Sequence, residues 1–192
     1  IIIRVIKMSE IELAKKIFEE TKKEVKINLG EITPIDYVDK KKLNEEEKLH
    51  FEKIGEEIIK NNEYAVVTMA GGQGTRLGWK GPKGTFNLDI GENGKYIFEI
   101  LEENLEKSKK MYNILPYWYI MTSNQNNDET KAFFKEHDYF GYDKEKVKFF
   151  PQGELPILTK DGEAVVENGK IKTGSNGNGR SISSYEGSRH NR

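Results

Sequence analysis

The sequence predicts an α/β fold, a mostly parallel, doubly wound sheet with a helical appendage at its N-terminal end. Three observations predict it. The runs AVVTM (65–69), YWYIM (117–121) and VKFF (147–150) have the length and the β-branched or aromatic character of strands in a parallel sheet. The segments between them, 95–112 and 126–137, carry apolar residues at helical spacing, and strands alternating with helices of this length pair in parallel. The first run opens directly into a glycine-rich segment, and open α/β sheets bind ligands at the ends of their strands.

Taken in order, Ser9 and Glu12 match a capping box, and Leu13, Ala14, Ile17 and Phe18 follow on one face of a helix expected over about 9–28. Met8 stands just before that start, so the first seven residues are expected to precede the natural beginning of translation. Residues 29–39, with Gly30 and Pro34, read as a connector. Asn44 and Glu47 repeat the capping signal ahead of Phe51, Ile54 and Ile58. These two helices define an N-terminal helical region, 1–60, packed on a main domain over 61–179. Within that domain AVVTM is expected to be buried on both faces. Residues 85–90 read as a short strand, 91–94 as a turn, and 95–112 as a helix burying Ile97, Phe98, Leu101, Leu105 and Tyr112. Asn126 with Glu129 starts the next helix, which runs to about His137. Beyond Pro151, the Asp161-Gly162 and Asn168-Gly169 pairs signal hairpins.

Composition narrows the functions. The 192 residues include 33% charged and 35% hydrophobic side chains, with a net charge of −1. That balance gives no basic surface for nucleic acid or for an anionic membrane, so neither is an expected partner. The absence of cysteine removes disulfides, thiolate catalysis and thiolate metal sites, and fits a cytoplasmic location. The opening IIIRVIK is too short and too interrupted for a signal sequence or a membrane span. His50, His137 and His190 are too scattered for metal-ligand spacing, and no metal ligand is assigned in this chain. Trp79 and Trp118 read as core residues, and Thr122–Gln125 as a helix-entry loop that could face a ligand.

The chemistry lies in MAGGQGTRLGWKGPKG (69–84). Gly71, Gly72 and Gly74 let the backbone turn sharply and bring its N–H groups against a ligand. Arg76 suits bidentate contact with phosphate oxygens, and Lys83, set behind Pro82, adds a movable point charge. Together they form a site for a nucleoside triphosphate. It is not a P-loop, because no G-x-x-x-x-G-K-[ST] occurs in the chain. A dinucleotide fingerprint also fails. Leu77 occupies its third glycine position, and Gly78, Gly81 and Pro82 break the helix that should follow.

The same stretch resembles the signature of the UDP-sugar pyrophosphorylase family. It is closest to the UDP-N-acetylglucosamine branch, which shows L-A-G-G-Q-G-T-R-L-G followed by P-K-G; the UDP-glucose branch has N-G-G-L-G-T instead. The resemblance continues through YWYIMTS (117–123), FFKEHDYFG (133–141) and FFPQGELP (149–156), and reaches NGNG (176–179). It implies a Rossmann-like nucleotidyltransferase, here a partial catalytic domain. UTP and N-acetylglucosamine 1-phosphate would give UDP-N-acetylglucosamine and pyrophosphate, with bound Mg²⁺. It further implies that Ala70, Gly71, Gly72, Gly74 and Thr75 approach the substrate and that Arg76 and Lys83 are catalytic, neutralising triphosphate charge. Gln152 would hydrogen-bond the uracil, and Gly177 and Asn178 would approach the ligand, Asn178 at the N-acetyl sugar. Two alternatives stay open: a family member acting on glucose or galactosamine 1-phosphate, and a non-catalytic uridine-nucleotide-binding fragment.

The chain departs from the pattern after NGNG. Asn176 stands where the branch has Asp, and RSISSYEGSRHNR (180–192) matches nothing in the family. Members continue much further and hold the metal with a later Asp. The resemblance therefore implies an incomplete, inactive fragment whose metal ligand lies beyond this chain. Its last 13 residues are expected to be disordered or the product of a shifted reading frame.

Overall fold

The computed structural model describes residues 2–23, 30 and 33–175 of the chain. The described residues fall into two compact units. Those of Ile1–Asp39 group with those of Gly153–Gly177, while Lys40–Gln152 form the other. The second helix thus belongs with the parallel sheet, and the first with the late hairpins.

In the first unit, helix α1 spans Ile2–Thr21. It begins before Ser9, so Ser9 and Glu12 lie inside it; the run before them holds no glycine or proline to stop the helix. Residues 24–29, the expected end of this helix, lie outside the described residues. Lys15 pairs with Glu163 at 3.4 Å, and a Cβ at Gly162 would sit 2.9 Å from the Phe18 ring. Strand β4 (Glu154–Pro156) pairs antiparallel with β7 (Thr173–Ser175), and β5 (Val166–Glu167) with β6 (Lys170–Ile171). The Asn168-Gly169 turn joining β5 to β6 has φ 51° and 72°, the left-handed pair that a two-residue hairpin needs.

In the second unit, α2 (Glu45–Lys60) carries the expected capping box: Asn44 Oδ1 accepts from Glu47 N–H, and Glu47 accepts from Asn44 N–H, both at 2.9 Å. Strands β1 (Ala65–Met69), β2 (Tyr117–Thr122) and β3 (Val147–Pro151) form a parallel sheet in that order. Helices α3 (Ile97–Tyr112) and α4 (Asn127–Glu136) are the crossovers. The fold is therefore mixed α/β with a parallel sheet, as expected. Residues 85–90 do not form a strand: Lys83–Thr85 is a 3₁₀ turn, and only one bridge, Asn87 with Tyr96, follows.

One face of the sheet holds the core. Trp118, Ile120 and Val147 pack there with Phe98 of α3, Phe134 of α4 and Tyr142. Fully burying each large apolar side chain contributes about 1.5–3 kcal/mol. Trp118 Nε1–H donates to Thr68 Oγ1 at 2.8 Å, so its one polar atom is satisfied. Residues 138–141 follow α4 with four successive positive φ angles, 46°, 53°, 57° and 84°. A left-handed turn of this kind costs about 1–2 kcal/mol per non-glycine residue. Here the rings of Tyr139 and Phe140 pack on Phe134 at 6.0 and 5.6 Å and hold it. The block FFKEHDYFG is thus largely a packing motif, and His137 Nδ1–H caps Phe133 O at 2.9 Å.

The opposite face corrects one expectation. AVVTM is an edge strand, and Val67 and Met69 are 53% and 57% exposed rather than buried on both faces. The run of apolar residues marks a strand meant for covered surroundings, but the described residues cover only one side. The central strand β2 does meet the expectation, with Trp118, Ile120, Met121 and Thr122 all buried.

Glu102, on the core side of α3, is 4% exposed, and its Oε1 has no hydrogen-bond partner among the described residues. Burial, and then the charges of Glu106 and Glu103, push its pKa up to about 7. The folded chain therefore keeps a proton that the unfolded chain releases above its ordinary value of 4.5. The associated stability is complete below that value and is lost as pH rises through about 7. Glu102→Gln is expected to raise the melting temperature at pH 8, by a stabilisation of roughly 1–3 kcal/mol, and to change it little at pH 4.5. Thermal melts of both proteins at the two pH values check this; equal differences at both would refute it.

Candidate functional site

The site forms where the three parallel strands end. Register places Met69 beside Met121 and Thr122 beside Pro151, so Ala70, Ser123 and Gln152 emerge at one end of the sheet. Ala70 N–H donates to Met121 O at 2.7 Å, and Gln152 N–H to Thr122 O at 2.7 Å, extending both pairings one residue past the strands. Gln152 then reaches across the end of β2. A Cβ on Gly71 would lie 2.9 Å from Gln152 Oε1 and 3.1 Å from its Cδ, so the carboxamide rests against the Gly71 backbone and would have to shift to admit a larger residue.

The glycine loop folds on itself. Lys83 N–H donates to Gly72 O at 3.1 Å and Gly74 N–H to Gly81 O at 2.8 Å, on either side of a Gln73–Pro82 bridge. Gly74 is buried, and a Cβ there would lie 2.7 Å from Trp79 Cβ. The glycine is explained by that packing. Trp79 is 40% exposed, so it is a clamp on the loop and not the core residue expected; its Nε1–H donates to Thr85 Oγ1 at 2.9 Å. Thr75 and Arg76 sit on an exposed single turn, Thr75–Leu77, closed by Gly78 in the left-handed region.

Gly72 has open space where a Cβ would be. With Lys83, Met69 and Phe98 it lines a cavity of about 150 Å³ beside β1. Among the described residues the N–H groups of Gly71, Gly72 and Gln73 make no backbone hydrogen bond, and neither Arg76 nor Lys83 has an ion pair. Residues 69–88 contain Arg76, Lys80 and Lys83 and no carboxylate, and the Glu129 carboxylate lies beside Gly81, 2.9 Å from where a Cβ there would be, so the loop offers unspent donors and a net positive charge. An anion gains from both.

The structure thus brings together Ala70, Gly71, Gly72, Lys83 and Gln152, with Thr75 and Arg76 on the outer turn of the same loop. Gly177 and Asn178 lie outside the described residues, as does the tail 180–192. Thr122 and Ser123 are buried, whereas Asn124 and Gln125 are exposed. Sequence reasoning missed Asn126. It is not a side-chain cap for α4; it is fully buried, and its carboxamide bridges Ser123 N–H and Ala70 O at 2.8 and 3.0 Å. Its signal, a polar residue at a helix entry, is indistinguishable from an ordinary cap. No group of three His, Asp or Glu side chains able to hold a metal occurs among the described residues.

Comparison with known proteins bears on what the loop holds. The profile of the family described as UTP–glucose-1-phosphate uridylyltransferase matches residues 10–180. A curated relative from Schizosaccharomyces pombe, described as "Probable UDP-N-acetylglucosamine pyrophosphorylase", is 41% identical over 131 residues, which are 63% of this chain and 27% of that protein. The UDP-N-acetylglucosamine pyrophosphorylase of Saccharomyces cerevisiae is 35% identical over 161 residues, 77% of this chain and 34% of that one. The chain therefore spans about a quarter to a third of the length of these relatives. The crystal structure of the uridine diphosphate N-acetylglucosamine pyrophosphorylase of Trypanosoma brucei, in complex with an inhibitor, superposes with a TM-score of 0.62 at 33% identity. The match covers 71% of this chain and 28% of that one.

Proposed function

Because the chain belongs to the UTP–glucose-1-phosphate uridylyltransferase family, we propose that it supplies the nucleotide-binding part of an enzyme that forms UDP-N-acetylglucosamine and pyrophosphate from UTP and N-acetylglucosamine 1-phosphate. The observation that carries this reading is the close approach of Gly71 to the Gln152 carboxamide, beside N–H groups and cations that have no backbone or ion-pair partner among the described residues. A carboxamide offers one donor and one acceptor edge, which complements the uracil O4 and N3–H or N3–H and O2 pairs. The relatives' names favour N-acetylglucosamine over glucose as the sugar.

The chemistry needs no general base. A phosphate oxygen of the sugar phosphate is already anionic and forms a bond to the α-phosphorus of UTP. The bond from that phosphorus to the bridging oxygen breaks, and pyrophosphate leaves with the electron pair. Positioning and charge neutralisation carry such a step. Arg76 and Lys83 provide the positive charge, Gly71 and Gly72 the backbone donors. Mg²⁺ would add charge neutralisation in the complete enzyme; the described residues offer it no ligand set, and no step here runs through it.

The three parallel strands are, in this reading, part of a Rossmann-like, doubly wound sheet, with β1 open on one edge to further strands. The working location is the cytoplasm. No described helix is long and apolar enough to cross a membrane. Isothermal titration of this chain tests the reading: UTP should bind about tenfold more tightly than CTP or ATP, the discrimination that one mismatched buried polar edge provides. Equal affinity for the three, or no UTP binding, would overturn it.

A further inference from the structure

The Asn126 side chain has a job that a helix cap does not require. A peptide N–H can only donate and a carbonyl can only accept, so the pair Ser123 N–H and Ala70 O admits one orientation of the carboxamide. Oδ1 faces Ser123 and Nδ2 faces Ala70. Ala70 is then held at both ends, its N–H on Met121 O and its C=O on Asn126. A trans peptide is planar, with its C=O and the next N–H pointing in opposite directions. Fixing Ala70 C=O therefore fixes Gly71 N–H, aimed away from the entry to α4, and among the described residues that N–H makes no backbone hydrogen bond. Without the tether, a glycine at 71 would leave this peptide free to turn over.

We propose that Asn126 is a positioning residue: it locks the Ala70–Gly71 peptide so that the Gly71 N–H is presented to the nucleotide phosphates. The proposal rests on the reading of the glycine loop as the UTP site. It gives a fully buried polar residue, 56 positions from Ala70 in sequence, a direct part in ordering the loop. It also explains why the buried carboxamide lies under the loop and not at the helix terminus.

Asn126→Asp separates the two bonds. Its carboxylate can still accept from Ser123 N–H but cannot donate to Ala70 O. In ¹⁵N-labelled chain without nucleotide, this substitution should move the Gly71 amide resonance strongly and the Ser123 amide little, and should weaken UTP binding by tenfold or more. An unmoved Gly71 amide, or unchanged UTP affinity in a folded variant, would overturn the proposal. Should the variant not fold, the wild-type chain decides. A through-hydrogen-bond coupling should connect Asn126 Nδ2 to the Ala70 carbonyl carbon, and the Gly71 amide should become protected from exchange only when UTP is added. Absence of the coupling, or of the protection in a chain that does bind UTP, sinks the idea. If wild-type chain binds no UTP, the functional reading fails, while the coupling and the Gly71 shift in the variant still decide whether Asn126 sets the peptide.

Discussion

Gly84→Ala is expected to cost the fold about 3 kcal/mol or more, whereas Gly72→Ala, in the same loop, should leave stability unchanged and abolish nucleotide binding. A Cβ at Gly84 would lie 2.2 Å from Phe98 Cε2 and 2.3 Å from Cζ. Phe98 is 1% exposed and packs on Phe134 with ring centroids 4.8 Å apart, so it has nowhere to retreat. Overpacking a close-packed core typically costs 1–3 kcal/mol, and this overlap lies at the severe end. At Gly72 nothing lies within 4 Å of the added atom. The new methyl group would instead occupy the space that the backbone offers to a ligand. Thermal melts and UTP titrations of the two variants separate the roles. A stable Gly84→Ala, or a Gly72→Ala that binds UTP normally, would reverse the assignment.

In a complete uridylyltransferase carrying this segment, Arg76→Ala and Lys83→Ala should each lower turnover by roughly a hundred- to thousandfold, the usual effect of removing one well-aimed charge or donor. Melting temperatures should stay close to wild type. Both side chains are exposed, and neither has an ion pair to lose among the described residues. The bond from Lys83 N–H to Gly72 O is made by the backbone and survives the substitution. Pyrophosphate release gives the rate directly. Wild-type turnover in both variants would remove these residues from the reaction, and a matching fall in melting temperature would make them structural.

What the sequence disclosed, and what it hid, follows from how far each signal reaches. YWYIM and AVVTM are equally apolar runs, and both are strands. Burial on the second face depends on having neighbours there, which Met121 of the central strand finds and Val67 and Met69 of the edge strand lack. Strand identity is local; strand order is not. The glycine loop was legible because glycines, proline and two cations in one short stretch leave few bland explanations. Gln152 was not legible from its own surroundings and entered through the family pattern; its link to Gly71 exists only because two strands of a parallel sheet end together. Asn126 was misread for a related reason, since its partner Ala70 is 56 residues away. Residues 85–90 alternate like a strand, but after Thr85, tied through Oγ1 to Pro82 O at 2.8 Å, they find only the single Asn87–Tyr96 bridge.

The division of the chain into interleaved units sets an order of events at the ribosome. The described residues of 1–39 group with those of 153–175, with the whole of 40–152 between them. Synthesis at roughly 5–20 residues per second delays their meeting by on the order of ten seconds. During that interval α1 has no hairpin to pack against, while the intervening unit emerges complete and can fold on local contacts. The nucleotide loop should therefore be formed on the nascent chain before the Lys15–Glu163 pair exists, and the N-terminal segment should be the part that waits in the care of chaperones.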